Sequence, residues 1–277
     1  MPVRLAGFAA ALVSATAVAG CATSASMRSP APLALVPPPT PNVIAAQTAV
    51  EVFATAVQHA TQLAAAPYAA PADTLPAPFR NLDYDGYRKL RPLPEAALWN
   101  AQGEPFAIQP LPRGHLYRDA PKVSIVEDGA IRPLGEASIF FDYVDYPQAS
   151  MAERQALGVS GWRVISKPGV ASAGYEVAVF QGASYFRLVG EGGLYGVSAR
   201  ALAIGAGSSE VEEFPRFSDF WIVRPAAGDT ALHFVAVIDS PSVSGAYRFT
   251  LRPGVNSILE VTAELHPRRD IDNPGIA

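Results

Sequence analysis

A chain of 277 residues exceeds a minimal domain and fits one large β domain or two small ones. Hydrophobic residues make up 49% and charged residues 17%, enough apolar surface for a core and too little charge for a disordered polyelectrolyte. Lys and Arg total 21 against 25 Asp and Glu, a formal net charge of −4, so the basic footprint of a nucleic-acid binder is absent. The single cysteine, Cys21, excludes an intrachain disulfide and a zinc site built from several thiolates.

Residues 1–21 read as an export signal. Arg4 supplies a minimal positive start, and Leu5 to Ala19 is an apolar stretch too short to remain as a spanning helix. Val18-Ala19-Gly20-Cys21 resembles a bacterial lipobox, in which the cysteine thiol takes a diacylglycerol and becomes the new N-terminus. The alternative is an ordinary signal cut nearby, with Cys21 incidental. Ala22 rather than Asp follows, which points a lipidated product to the outer membrane. Either route predicts export to a periplasm. Residues 22–42, rich in Ala, Ser and Pro and including Pro37-Pro38-Pro39-Thr40-Pro41, cannot bury enough to order themselves and read as a tether.

Val43 to Ala65 predicts a helix, with Val50, Phe53, Val57, Ala60 and Leu63 or Ala64 as its apolar stripe, His59 on its surface and Pro67 ending it. After Pro76 the periodicity changes. Short runs end at Gln109-Pro110-Leu111, begin at His115 to Tyr117, and alternate over Lys122 to Val126 and Ala137 to Tyr143. Further runs follow at Trp162 to Ile165, Tyr175 to Phe180, Tyr185 to Val189, Val197 to Ile204 and Phe220 to Val223. Leu232 to Ile238, Tyr247 to Leu251 and Ser257 to Glu264 complete the series. Many short strands with frequent turn signals predict an all-β, mainly antiparallel sandwich with one N-terminal helix, as a single domain over 43–277.

Nucleotide-binding loops, HExxH and GxSxG are absent. Gly190-Glu191-Gly192-Gly193 follows a strand with no helical pattern behind it, so it reads as a hairpin turn rather than a phosphate cradle. His59, His115, His233 and His266 are scattered, no metal site or cofactor is expected, and nothing nominates a nucleophile. Aromatic, Arg and carboxylate residues crowd between 180 and 250. Sugar sites have that composition, because rings stack on CH faces while guanidinium and carboxylate groups fix hydroxyls. Most Phe and Tyr of a sandwich are nonetheless core.

Several blocks in this region form one ordered series: Gly182-Ala183-Ser184-Tyr185-Phe186-Arg187, Tyr195 to Ile204, Glu212-Glu213-Phe214-Pro215-Arg216-Phe217, Phe220-Trp221, Asp239-Ser240-Pro241 and Gly245-Ala246-Tyr247-Arg248-Phe249. Upstream lie Leu82-Asp83-Tyr84-Asp85-Gly86-Tyr87-Arg88, Ala97-Leu98-Trp99 and Gly158 to Arg163. Together, over about residues 45–277, the chain resembles the periplasmic glucans biosynthesis proteins of the G and D type. The resemblance implies a galactose-mutarotase-like β-sandwich, incomplete here, and a part in making or processing osmoregulated, β-1,2-linked glucans. Some members are similar to inverting β-1,2-glucan hydrolases, but the family's catalytic aspartates and its immunoglobulin-like domain fall beyond Ala277. No catalytic residue is therefore expected in 1–277, and the alternative reading is a non-catalytic carbohydrate-binding lipoprotein or a fragment. Gly205 stands where the family commonly has Asp, and Val211 where Gly precedes the Glu pair. The residues expected to line a glucan groove are Tyr185, Arg187, Tyr195, Arg200, Glu213, Trp221, Asp239 and Tyr247, each with a core or strand-pairing role as its alternative; Arg200 and Glu213 could form a buried ion pair.

Overall fold

Two β-sheets lie face to face, and one long helix covers the far side of the larger. The computed structural model describes residues 4–5, 11–18, 43–101, 103–168, 174–207, 211–272 and 274–276. The strands in chain order are β1 (Arg4–Leu5), β2 (Ala11–Val18), β3 (Phe106–Pro112), β4 (Lys122–Glu127), β5 (Ala130–Pro133), β6 (Val159–Ser166), β7 (Tyr175–Gln181) and β8 (Tyr185–Leu188). They continue with β9 (Ala199–Arg200), β10 (Ala203–Ile204), β11 (Arg216–Val223), β12 (Leu232–Asp239), β13 (Val243–Arg252), β14 (Ile258–Pro267), β15 (Ile271–Asp272) and β16 (Pro274–Gly275). The helices are α1 (Val43–Ala65), α2 (Ala77–Arg80), α3 (Tyr84–Tyr87) and α4 (Met151–Ala156). The larger sheet runs β2-β14-β13-β12-β11-β4-β5 and the smaller β3-β6-β7-β8-β9. Cys21 and the tether over 22–42 lie outside the described residues.

The continuous apolar run Phe234–Ile238 of β12 follows from its place at the middle of the stack. Leu232, Phe234, Ala236 and Ile238 enter the core between the sheets, while Val235 and Val237 face α1. A strand covered on both faces has no polar side, so alternation disappears. The inter-sheet core is aromatic: the Trp162 ring lies 4.9 Å from Phe180 in a stacked pair and 4.9 Å from Phe234 edge-on, and Phe234 stacks on Phe249 at 4.7 Å. All four side chains are fully buried.

The helix occupies the residues that its pattern predicts, but its buried stripe is rotated. Ala45, Ala49, Val52, Ala56 and Ala60 meet the sheet, with Phe53, Val57 and Leu63 beside them, and Val50 is exposed. Alanines let the helix axis approach the strands closely, a benefit that a count of large apolar residues misses. His59, expected at the surface, is part-buried and faces Asp219 of β11 at 3.6 Å.

The pairs are mainly antiparallel, as expected, with β4 and β11 the one parallel pair among the described strands of the larger sheet. Three other expectations change. His115 to Tyr117 is a tight turn, not a strand, closed by Gly114 and Tyr117 exchanging backbone hydrogen bonds at 2.9 and 2.8 Å. Ala137 to Tyr143 opens with a 3-10 turn at Ala137–Ile139, because Ala137, Phe140 and Phe141 are buried at helical spacing, while Ile139 is exposed; Tyr143 is buried beyond the turn. Val197 to Ile204 splits into β9 and β10. The glycine turn does lie in the loop from β8 to β9, with Gly193 N–H donating to Gly190 O at 2.9 Å. A Cβ on Gly190 would sit 2.1 Å from the Val255 carbonyl oxygen, so only glycine fits there.

Candidate functional site

The far side of the smaller sheet, facing away from the core, carries the polar residues of the site; it is covered along β3, where Ala107, Gln109 and Leu111 are buried, and open at β8, where Arg187 is exposed. Side chains alternate along a strand, so Trp162 and Val164 of β6 point into the core while Arg163 points out. Register sets the outward rows. Gln109, Arg163, Val179 and Arg187 lie side by side across β3, β6, β7 and β8, and Tyr185 pairs with Arg200 of β9. Pro110 and Pro112 are tolerated in β3 because it is an edge strand.

One carboxylate reaches this face through a β-bulge. The pairing of β6 with β7 slips between Val164, opposite Ala178, and Ile165, opposite Glu176. Val177 is the extra residue, and both Val177 and Ala178 are fully buried. The slip reverses the parity of the strand, so Glu176 emerges on the outer face instead of beneath it. There it accepts from Arg163 Nη1 at 2.7 Å and from Tyr195 Oη at 2.6 Å. Arg163 Nε donates to Gln109 Oε1 at 2.5 Å, and Arg187 Nε donates to Ser198 Oγ at 2.6 Å. Burial and then the hydrogen bond to Glu176 push the Tyr195 phenol above its ordinary pKa, so it stays a donor at neutral pH.

Beside this polar row lies a groove of about 290 Å³, lined among others by Leu116, Tyr117, Gln181, Tyr185, Arg187 and Ser198. Gln181 Nε2 donates to Tyr87 Oη and to Ser160 Oγ, both at 2.8 Å, which fixes the amide. Burial raises the Tyr87 phenol to about 12, so it too remains protonated. At the groove's edge Arg200 lies between two rings, 5.1 Å from the centre of Tyr185 and 5.7 Å from that of Phe214, and is ion-paired to Glu212. The stack turns the Tyr185 ring into a fixed platform. Rings, guanidinium groups, an amide and hydroxyls thus share one open surface, the donor and acceptor set that a polyhydroxylated chain requires.

A sequence profile described as "Periplasmic glucan biosynthesis protein, MdoG" matches residues 52–277. The chain belongs to this family. Glucans biosynthesis protein G of Rhodopseudomonas palustris CGA009 is 42% identical over 218 residues, covering 79% of this chain and 43% of that protein. Proteins of the same name from Shewanella baltica OS155 and Vibrio cholerae O395 are each 40% identical over 223 residues, covering 80% of this chain and 41% of theirs. The chain therefore spans about two fifths of the length of these curated relatives.

Within this glucan biosynthesis fold the eight residues singled out from the sequence separate into two groups. Tyr185, Arg187, Tyr195 and Arg200 lie together on the outer face of the smaller sheet. The other four lie elsewhere. Tyr247 is buried in the core, its hydroxyl donating to Ala201 O at 2.9 Å. Trp221 packs on the helix side of the larger sheet. Asp239 is buried against Arg268 at 2.9 Å. Glu213 pairs not with Arg200 but with Arg269, at 3.4 Å, and accepts from Ser242 N at 2.9 Å and Ser242 Oγ at 2.6 Å. Burial works to raise the Glu213 carboxyl, but hydrogen bonds from Ser240 and Ser242 outweigh it and hold the group below its ordinary range. The consecutive Arg268 and Arg269 thus hold Asp239 and Glu213 on either side of the turn from β12 to β13.

Sequence reasoning missed Gln109, Tyr117, Arg163, Glu176, Gln181 and Ser198. A usable signal existed for Arg163, which closes the Gly158–Arg163 block; Glu176 required knowledge of the bulge. Among the described residues no group of three or more His, Cys, Asp and Glu could hold a metal ion, and no helix is long and apolar enough to cross a membrane.

Proposed function

We propose that this chain is an exported glucan-binding part of the periplasmic glucan machinery and that it holds a linear β-1,2-linked glucan along the outer face of the smaller sheet. The observation that carries the reading is the groove of about 290 Å³ in which Tyr185, Arg187, Gln181 and Tyr117 converge, with Arg187 exposed. The ring of Tyr185, steadied by Arg200, stacks on a sugar face. Arg187, exposed beside Ser198, and the Gln181 amide take hydroxyls. Glu213, Asp239, Trp221 and Tyr247 serve the frame rather than the ligand, and no residue of the chain is assigned a catalytic role.

Titration of the full chain with linear β-1,2-glucan tests this. Removing a charge-assisted contact is worth about 1.5–3 kcal/mol, so Arg187→Ala is expected to weaken binding about 10-fold or more. Tyr185→Ala is expected to cost about 3- to 10-fold through the lost stack. Tyr247→Phe should bind as wild type does. Unchanged affinity in both groove variants would remove the site from the outer face.

We also propose that Cys21 carries the lipid that tethers the mature protein to a periplasm-facing membrane, with residues 22–42 as the spacer; cleavage before Cys21 removes β1 and β2 and leaves β14 as the edge of the larger sheet. Its lipobox surroundings and its place as the only cysteine support this. Wild type should label with a fatty-acid analogue and partition into a detergent phase, and Cys21→Ser should do neither. Equal labelling of the two proteins would exclude the anchor.

A further inference from the structure

The segment Leu82–Arg88 takes no direct part in the groove, yet it is built to present a ring. Its helix α3 is a single turn, started by Asp83, whose Oδ1 accepts from Gly86 N at 2.7 Å, and anchored from behind by Tyr146 Oη donating to Gly86 O at 2.6 Å. The two tyrosines of the turn point to different places. Tyr87 is part-buried: its hydroxyl donates to Pro112 O at 3.1 Å and accepts from Gln181, a lining residue of the groove. Tyr84 is 60% exposed.

Between them the rings form a continuous path. Tyr117, at the groove wall, meets Tyr87 at 5.5 Å; Tyr87 meets His115 at 6.4 Å; His115 meets Tyr84 edge-on at 6.2 Å. His115 holds its place at a cost, because it sits at φ 49°, in the left-handed region that non-glycine residues seldom occupy. Its Nδ1 lies 3.2 Å from Leu82 O, which ties the turn Gly114–Tyr117 to the segment carrying Tyr84. At the outer end Arg88 lies over the Tyr84 ring at 5.6 Å, and Arg88 and Asp85 are both exposed. A held ring flanked by an exposed guanidinium and an exposed carboxylate repeats, in smaller form, the chemistry of the groove.

We infer that the path Tyr117–Tyr87–His115–Tyr84 extends the groove to an outlying subsite at Tyr84, where a sugar ring of a long glucan stacks while shorter chains fill the groove alone. This rests on the groove being the glucan site. It gives the chain a preference for ligand length that the groove by itself lacks.

Affinities of the full-length chain for short and long fractions of linear β-1,2-glucan decide the matter. Tyr84→Ala is expected to weaken the long fraction about 3- to 10-fold and leave the short fraction unchanged. Tyr84→Phe keeps the ring and should bind both as wild type does. Tyr185→Ala, within the groove, should weaken both fractions. Tyr84 is exposed, so thermal melting of Tyr84→Ala should match wild type. Wild-type affinity of Tyr84→Ala for long chains, or an equal loss on both fractions, overturns the subsite and leaves the groove standing. Failure of wild type to bind either fraction overturns both.

Discussion

Replacing Arg268 with alanine is expected to cost about 3–5 kcal/mol of folding stability, a large share of the roughly 5–15 kcal/mol available to a domain. The guanidinium is 9% exposed, donates to three backbone carbonyls and forms an ion pair with Asp239. Nη2 reaches Asp239 Oδ1 at 2.9 Å and Leu63 O at 2.6 Å, Nη1 reaches Ser240 O at 2.6 Å, and Nε reaches Ala66 O at 3.1 Å. Two of these are carbonyls at the C-terminal end of α1, whose own last turn has no basic residue. The last carbonyls of a helix lack the usual donor four residues on, Leu63 O taking only a bond from Ala66 N at 3.1 Å, and the helix end attracts positive charge. Arg268, from just past β14, therefore caps α1 and pins it to the sheet. Alanine leaves the Asp239 carboxylate buried without its counter-charge, and that desolvation dominates the loss. The double variant Arg268→Met with Asp239→Leu should recover much of it, because replacing a whole buried pair with apolar groups is often close to neutral. Urea unfolding at neutral pH measures all three proteins. A loss below about 1 kcal/mol in Arg268→Ala would mean that water reaches Asp239 and that the pair is not a lock.

The second large effect lies at Trp162. Trp162→Ala is expected to cost about 3–5 kcal/mol, because the indole fills the space between the sheets and no neighbour can follow it. Its ring touches Phe180, Phe220 and Phe234 at 4.9, 5.6 and 4.9 Å. Trp162→Phe should cost clearly less than this. The indole Nε1 is buried and has no hydrogen-bond partner among the described residues, so wild type already bears the cost of an unmet donor that phenylalanine removes. Denaturant midpoints of the two variants check the contrast. Equal losses would contradict the contrast. The alanine variant should also loosen the polar row of Gln109, Arg163 and Glu176, since Arg163 is the next residue and leaves β6 on the opposite face.

Much of this architecture was legible in the residues. The bounds of α1 followed from its apolar spacing and from Pro67, and most strands followed from alternation between turn-forming residues. The ordered blocks from Leu82 to Phe249 pointed to the glucan biosynthesis family, because collinear blocks over a whole domain are far more specific than any one motif. Two of the misread segments, His115–Tyr117 and Ala137–Tyr143, are short apolar runs in which strand and turn have the same composition.

The site divided differently. Four of its residues, Tyr185, Arg187, Tyr195 and Arg200, could be chosen by type, but type could not separate them from Asp239, Glu213, Trp221 and Tyr247. Asp239 and Glu213 find Arg268 and Arg269 only when β14 folds back beside β13, and Trp221 meets the helix side only because α1 covers that face. Glu176 is the sharpest case. Plain alternation places it on the side of Ala178 and Phe180, inside the core, and one extra residue at Val177 turns it out toward Arg163 and Tyr195. A strand's side-chain period is two, so a single slip in pairing exchanges its faces. That slip is set by the partner strand across the sheet, and no residue within β7 encodes it alone.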